Sequence, residues 1–255
     1  MNLPLDKVGD DERLALAFAG NRLLASLSAA ERAILEPYMG VRCYEVGETL
    51  LARDERILHS VFPFDTLMVS MIVEIEGGRS IEVASIGKEG AVGGIVSCGE
   101  APAFAKTVVQ IAGSAAVLPL SVLQHAKQQS HNLALLFCRY SDALLSQVMQ
   151  SVACNSFHPI EARAARWLLH AQDRVGGDRL ALTQESLAGL LGVQRTTVNA
   201  VARLLQEQGL IAYRRGAIQV VDRAGLKQVA CGCYAAVESH FDDILGPAGA
   251  RGRKA

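Results

Sequence analysis

Apolar positions recur along this chain at two periods, and the places where the period changes mark out its parts. Ser28-Ala29-Ala30-Glu31 has capping-box spacing, and Ile34, Leu35 and Tyr38 continue an amphipathic helix to Gly40. From Val41 the period shortens to two. Runs rich in Val and Ile, separated by Gly and Asp, predict strands at 41–45, 49–51, 61–64, 67–75 and 79–86. A Gly-rich stretch then precedes two more, at 106–111 and 114–118. Glu76-Gly77-Gly78 reads as a hairpin turn. Short strands joined by Gly turns predict a small antiparallel barrel or roll.

Residues 132–156 contain neither Gly nor Pro and predict one helix, long for a globular protein. Leu133, Phe137, Tyr140, Leu144 and Val148 form one apolar seam on it; Leu136, Leu145, Met149 and Val152 form another. Two apolar faces need two partners. We expect the roll against one and the same helix of a second copy against the first-named seam. A helix over 159–175 holds the single Trp167 and closes at Gly176-Gly177. Asp222 caps a final helix in which Leu226, Val229, Cys233, Val237, Phe241 and Leu245 recur at helical spacing, a stripe expected to pack on the body.

Between these lies the stretch with chemistry in it. Thr183 can cap a short helix whose Leu187, Leu190 and Leu191 share a face, and Gly192 stands where that helix must stop. Val193 plugs the turn, and Val198, Val201, Leu204 and Leu205 form the buried stripe of a second helix. Arg195, Thr196 and Asn199 are the outward positions at its start, and each can hydrogen-bond a base edge. Ile211-Ala212-Tyr213 and Ile218-Gln219-Val220-Val221 flank Arg214-Arg215-Gly216 as a hairpin directly after it. Helix, tight turn, helix and hairpin in that order form a winged helix-turn-helix that reads DNA.

Composition agrees. Half of the 255 residues are hydrophobic and a fifth are charged, as in a folded chain. Residues 1–159 carry 12 Lys and Arg against 17 Asp and Glu, whereas 160–223 carry 9 against 6, so positive charge concentrates where phosphates must be neutralised. No apolar run approaches the roughly 20 residues of a membrane span. The acidic start, with Asp6, Asp10, Asp11 and Glu12, lacks the layout of a signal peptide, and a cytoplasmic location is expected. Cys43, Cys98, Cys138, Cys154, Cys231 and Cys233 are scattered; on one helix Cys231 and Cys233 would point to opposite sides, so no metal site is expected. No nucleophile–base spacing or phosphate-cradling loop marks an enzyme.

In this order of parts the chain resembles the Crp/Fnr family of bacterial transcription regulators over about residues 25–226. The likeness is most specific from Leu182-Thr183-Gln184-Glu185 through Arg203 to Gly209-Leu210-Ile211, which line up with the family without a gap. It implies an α+β fold: an N-terminal antiparallel β-roll of the cyclic-nucleotide-binding jelly-roll type (22–125), a long dimerisation helix (130–156) and a C-terminal winged helix-turn-helix (157–245). It implies a homodimer on double-stranded DNA, with recognition helices about 34 Å apart on a near-palindromic site, and RNA polymerase as a further partner. Arg195 takes the family's principal base-reading position. Thr183, Gln184, Gln194 and Thr197 match positions that grip phosphate, Arg214 and Arg215 sit on the wing tip, and Asn199 and Arg203 complete the set. Thr196 stands where well-known members have Glu, and Ala200 where some have a second base-reading Arg, so the operator is expected to differ outside the Arg195 contact. In the roll, cyclic-nucleotide-binding members place Gly-Glu and Arg-Ser around the ligand. Here Gly90-Ala91 has no acid, and Ala103-Phe104-Ala105-Lys106-Thr107 has no Arg at that place. No cofactor is therefore expected, and His125, His131 and Cys138 read as structural rather than haem ligands. The rival reading is a cyclic-nucleotide or other small-ligand-binding protein whose winged helix contacts protein.

Overall fold

The computed structural model describes residues 9–95, 101–214 and 216–246. Three helices lead in: α1 (Asp10–Gly20), α2 (Arg22–Ala25) and α3 (Ala29–Leu35). The alternation of the sequence gives no hint of α1. Its first turn carries Asp10, Asp11 and Glu12, anions at the positive end of the helix dipole, and it buries only Ala17 and Phe18. The capping box of α3 forms as predicted, with Ser28 Oγ accepting from Glu31 N–H and Glu31 accepting from Ser28 N–H.

Seven strands follow: β1 (Gly40–Tyr44), β2 (Thr49–Leu51), β3 (His59–Pro63), β4 (Met68–Ile75), β5 (Arg79–Ile86), β6 (Lys106–Ile111) and β7 (Gly113–Pro119). They pair antiparallel into two sheets, β1-β7-β3 and β2-β6-β4-β5, so the expected roll is present. Its core holds Leu67, Val69, Val109 and Ala115, none of them exposed. Burying such side chains supplies the stability, at about 25 cal/mol per Å² of apolar surface removed from water.

After α4 (Leu120–Gln129) comes α5 (His131–Phe157), capped by Ser130, whose Oγ accepts from Leu133 N–H. Its two seams fall the other way round from the expectation. Leu133, Phe137, Tyr140 and Leu144 are buried inside the protomer, against the roll and the N-terminal helices, with Val148 packed beside them. The seam left open contains Leu145, Met149 and Val152, at 52%, 60% and 62% exposure. The sequence shows two stripes; the roll, folding against whichever face carries Phe137 and Tyr140, takes the bulkier one. Tyr140 is a reason for that choice. Its hydroxyl donates to Ala91 O at 2.9 Å and accepts from Ala91 N–H at 3.0 Å, and a Cβ on Gly90 would collide with it.

The last part contains α6 (Ile160–Val175), β8 (Arg179–Leu180), α7 (Gln184–Leu191), α8 (Arg195–Glu207), β9 (Ile211–Arg214), β10 (Ala217–Val220), α9 (Arg223–Val229) and α10 (Cys233–Leu245). The predicted final helix is thus two helices, broken over 230–232. α10 turns back along α5, and its Val237 and Phe241 enter the core formed with the N-terminal helices. His170 of α6 lies fully buried, Nδ1 3.1 Å from Glu238 Oε1 of α10. Burial, with Arg174 and Arg166 nearby, holds its pKa well below the usual 6.5 against the pull of Asp173 and Glu89, so the imidazole is neutral and donates through Nδ1. Below pH 6.5 the unfolded chain takes up a proton that the native His170 refuses, so its stability contribution is full above that pH and is lost as pH falls. Thermal melts at pH 7.5 and 5.5 should show a larger acid-induced loss for the natural chain than for His170→Gln, by up to about 1.4 kcal/mol per pH unit; equal losses would contradict this.

Candidate nucleic-acid interface

Thr183 Oγ1 accepts from Ser186 N–H at 3.0 Å and starts α7 as a side-chain cap. Leu187, Leu190 and Leu191 turn inward. Gly192 ends the helix at φ +67, a left-handed conformation that a side chain would strain, and a Cβ there would press on Ile81 of β5 at 3.1 Å. The Leu191 carbonyl that α7 leaves over receives an N–H from Arg163 at 2.6 Å. These contacts fix the angle at which α8 begins.

α8 has its apolar face on Val198, Val201, Ala202 and Leu205, all buried. Leu204, expected in that stripe, is instead 40% exposed: one residue from Leu205, it lies about 100° around the helix. Arg195, Asn199 and Arg203 recur every four residues on the solvent side, flanked by exposed Thr196 and Ala200. Gln194 precedes the helix without capping it through its side chain, so the first N–H groups of α8 point outward with the positive end of the dipole. Arg195 extends into solvent with a loose approach to Glu185, 3.9 Å, and 66% of its side chain exposed. Of the remaining sequence-predicted residues, Thr183 and Arg214 are exposed, Gln184 and Thr197 are half-buried, and Arg215 lies outside the described residues.

The wing is a three-stranded sheet, β8-β10-β9, one strand more than the hairpin predicted; β8 is two residues long, too short to leave a pattern. Gln206 Oε1 of α8 accepts from Tyr213 N–H at 2.9 Å and ties the wing to the helix. Sequence reading did not single out Gln206, because a Gln on an exposed helix face carries no local signal.

This unit is not free of the roll. Met68, Ile72 and Ile111 share a core with α6, α7 and α8. Trp167 Nε1–H donates to Glu82 Oε1 of β5 at 2.9 Å, Ser70 donates to the other carboxylate oxygen, and Arg174 Nε lies 2.8 Å from Glu89. Burial pushes the Glu82 carboxyl pKa up, against the opposing pull of Ser70, Arg166, Arg174 and Trp167. The roll has its own cavity of about 310 Å³, with Arg42, Tyr44, Glu48 and Arg56 among its lining.

Residues 162–229 match the Crp-like helix-turn-helix domain family. No curated protein sequence matches the chain. Several solved structures superpose on most of it. FixK2 from Bradyrhizobium japonicum does so with a TM-score of 0.64 at 18% identity, over 76% of this chain and 98% of that one. TTHB099, a CRP-family transcriptional regulator from Thermus thermophilus, gives 0.62 at 20%, over 74% and 96%. TTHA1359, a CRP/FNR-family transcriptional regulator from the same organism, gives 0.60 at 19%, over 74% and 97%. At these identities the likeness is one of fold, and the match over 162–229 supplies the domain. The chain carries a Crp-like helix-turn-helix domain, and its fold is that of the Crp/Fnr transcription regulators.

Proposed function

We propose that this chain is a sequence-specific regulator of transcription that binds double-stranded DNA as a homodimer. The observation that carries the reading is the exposed row Arg195, Asn199 and Arg203 along α8, held by a buried apolar face behind it and a wing beside it. Arg195 reads a guanine through O6 and N7, and Asn199 reads a neighbouring base. Thr183, Gln184, Gln194, Thr197, Arg203, Arg214 and Arg215 hold phosphates, and Thr196 touches the base step next to Arg195. The open seam of α5, with Leu145, Met149 and Val152, pairs two copies and sets two α8 helices on successive major grooves. The parts are the roll (22–125), the dimerising helix (130–156) and the DNA-binding part (157–245). RNA polymerase is the further partner of such a regulator, and the reading assigns no catalytic step. No helix among the described residues is long and apolar enough to cross a membrane.

The roll serves this reading as a structural or divergent sensor. Tyr140 packs against Gly90 and hydrogen-bonds Ala91, the pair that stands where cyclic-nucleotide-binding members have Gly-Glu, and no acid follows the glycine.

Anisotropy titration of a labelled duplex at several salt concentrations tests the charge side of the proposal. The slope of log affinity against log salt should be steep, and Arg203→Ala or Arg214→Ala should each flatten it by roughly one. A slope near zero in the natural chain would overturn the phosphate assignments.

A further inference from the structure

The break between α9 and α10 moves Cys231 and Cys233 off a common helix, and it brings them to the end of α5. Cys154 stands in the last turn of α5 and His158 caps its C-terminal end four residues on, while Cys231 in the connection after α9 and Cys233 at the start of α10 lie over them. Cys154 Sγ lies 3.5 Å from Cys231 Sγ, and Cys233 Sγ lies 3.4 Å from His158 Nδ1. All four ligand atoms fall within 4.8 Å of one another. We propose that Cys154, His158, Cys231 and Cys233 form a tetrahedral site for one divalent zinc-class ion.

Several observations select that ion. With metal–sulfur bonds of about 2.3 Å, a tetrahedron has edges of about 3.8 Å, close to the separations present. Three thiolates and an imidazole form a closed structural donor set, soft enough for zinc and lacking the oxygen ligands of magnesium or calcium. An iron–sulfur cluster needs its cysteine sulfurs apart at the cluster's corners, not in contact as Cys154 and Cys231 are. A disulfide between those two would need closure to about 2.05 Å and would leave Cys233 and His158 facing each other without purpose.

The surroundings fit the charge. One divalent ion with three thiolates and a neutral imidazole carries a net charge of −1, and binding releases the three thiol protons. Arg163 and Arg166 are buried, each with an Nε–H that has no partner among the described residues. Arg166 lies in electrostatic range of Cys154, and Arg163 in range of Cys154 and Cys231. Gln150, one turn before Cys154, donates Nε2–H to Cys233 Sγ at 3.0 Å, an outer hydrogen bond of the kind that orients thiolate ligands.

The position gives the ion a role. Cys154 and His158 precede the domain matched over 162–229, and Cys231 and Cys233 follow it. The ion ties both ends of the DNA-binding domain to the dimerising helix, so it sets how rigidly α8 is carried on α5.

Cobalt(II) titration of the reduced full-length chain tests this. The titration should give thiolate-to-cobalt charge-transfer absorption with a tetrahedral visible band, saturating at one ion per chain and abolished by zinc. Cys43→Ser with Cys138→Ser, exposed cysteines elsewhere, should leave the signal unchanged. Cys231→Ser and Cys233→Ser should remove it. His158→Cys keeps four ligands and should retain a tetrahedral spectrum with stronger charge transfer. Absence of charge transfer in the reduced natural chain, or its persistence in the Cys231→Ser and Cys233→Ser chains, would overturn the site. Loss in His158→Cys with the chain folded by circular dichroism would do the same.

Discussion

Arg195→Ala should lower affinity for the specific operator by roughly 1–3 kcal/mol per half-site, so a dimer that uses two half-sites loses about twice that. The size follows from the lost chemistry. A guanidinium pairs two N–H donors with guanine O6 and N7, and Ala leaves both acceptors to water or to nothing. The side chain takes no part in the fold: it is two-thirds exposed, and its nearest charged neighbour is 3.9 Å away. The variant should therefore melt with the natural chain while its affinity for random DNA drops only slightly. Competition titration against operator and mixed-sequence duplexes separates the two. An equal loss on both would make Arg195 a phosphate contact rather than a reader.

Placing acids on the open seam of α5 should have an effect of similar or greater size. Leu145, Met149 and Val152 are more than half exposed in the isolated chain, and fully burying a side chain of this size is worth about 1.5–3 kcal/mol. Two-fold pairing counts every such burial twice, and a carboxylate there would be buried without a partner. Leu145→Asp with Met149→Asp should run as a folded monomer in sedimentation, and its operator affinity should fall by several orders of magnitude because each monomer reaches one half-site. Phe137→Ala is the contrast. That ring is buried in the protomer, 6.2 Å centroid to centroid from Phe62, so its loss should cost about 3–5 kcal/mol of folding stability. A monomer from Phe137→Ala at full stability, or a dimer from the double Asp chain, would return the interface to the other seam.

That reversal shows how far a sequence pattern reaches. Strand ends in the roll come within two residues of expectation, because Val and Ile alternate wherever one face is buried. The cap at Thr183, the stop at Gly192 and the inward leucines are local chemistry and were legible for that reason. Which face of α5 meets the roll is not local; it depends on Tyr140 reaching Ala91, 49 residues earlier. The break over 230–232 carries one Gly and no Pro, too weak a signal to interrupt the helical stripe from Leu226 to Leu245. The cysteine cluster follows from that break and joins residues 77 apart, so nothing in the spacing announces it. Glu82 reads as a polar strand position, and only the docking of Trp167 covers it and gives its carboxylate a donor.

The proposed function needs two copies of α8 on one two-fold site. Selection of bound duplexes from a random pool by the full-length chain tests it most directly. The selected duplexes should carry an inverted repeat with half-sites about one helical turn apart, a guanine in each half that Arg195→Ala no longer enriches, and flanking bases that tolerate change. Enrichment of no sequence, or of a single half-site by a chain that stays monomeric, would contradict it.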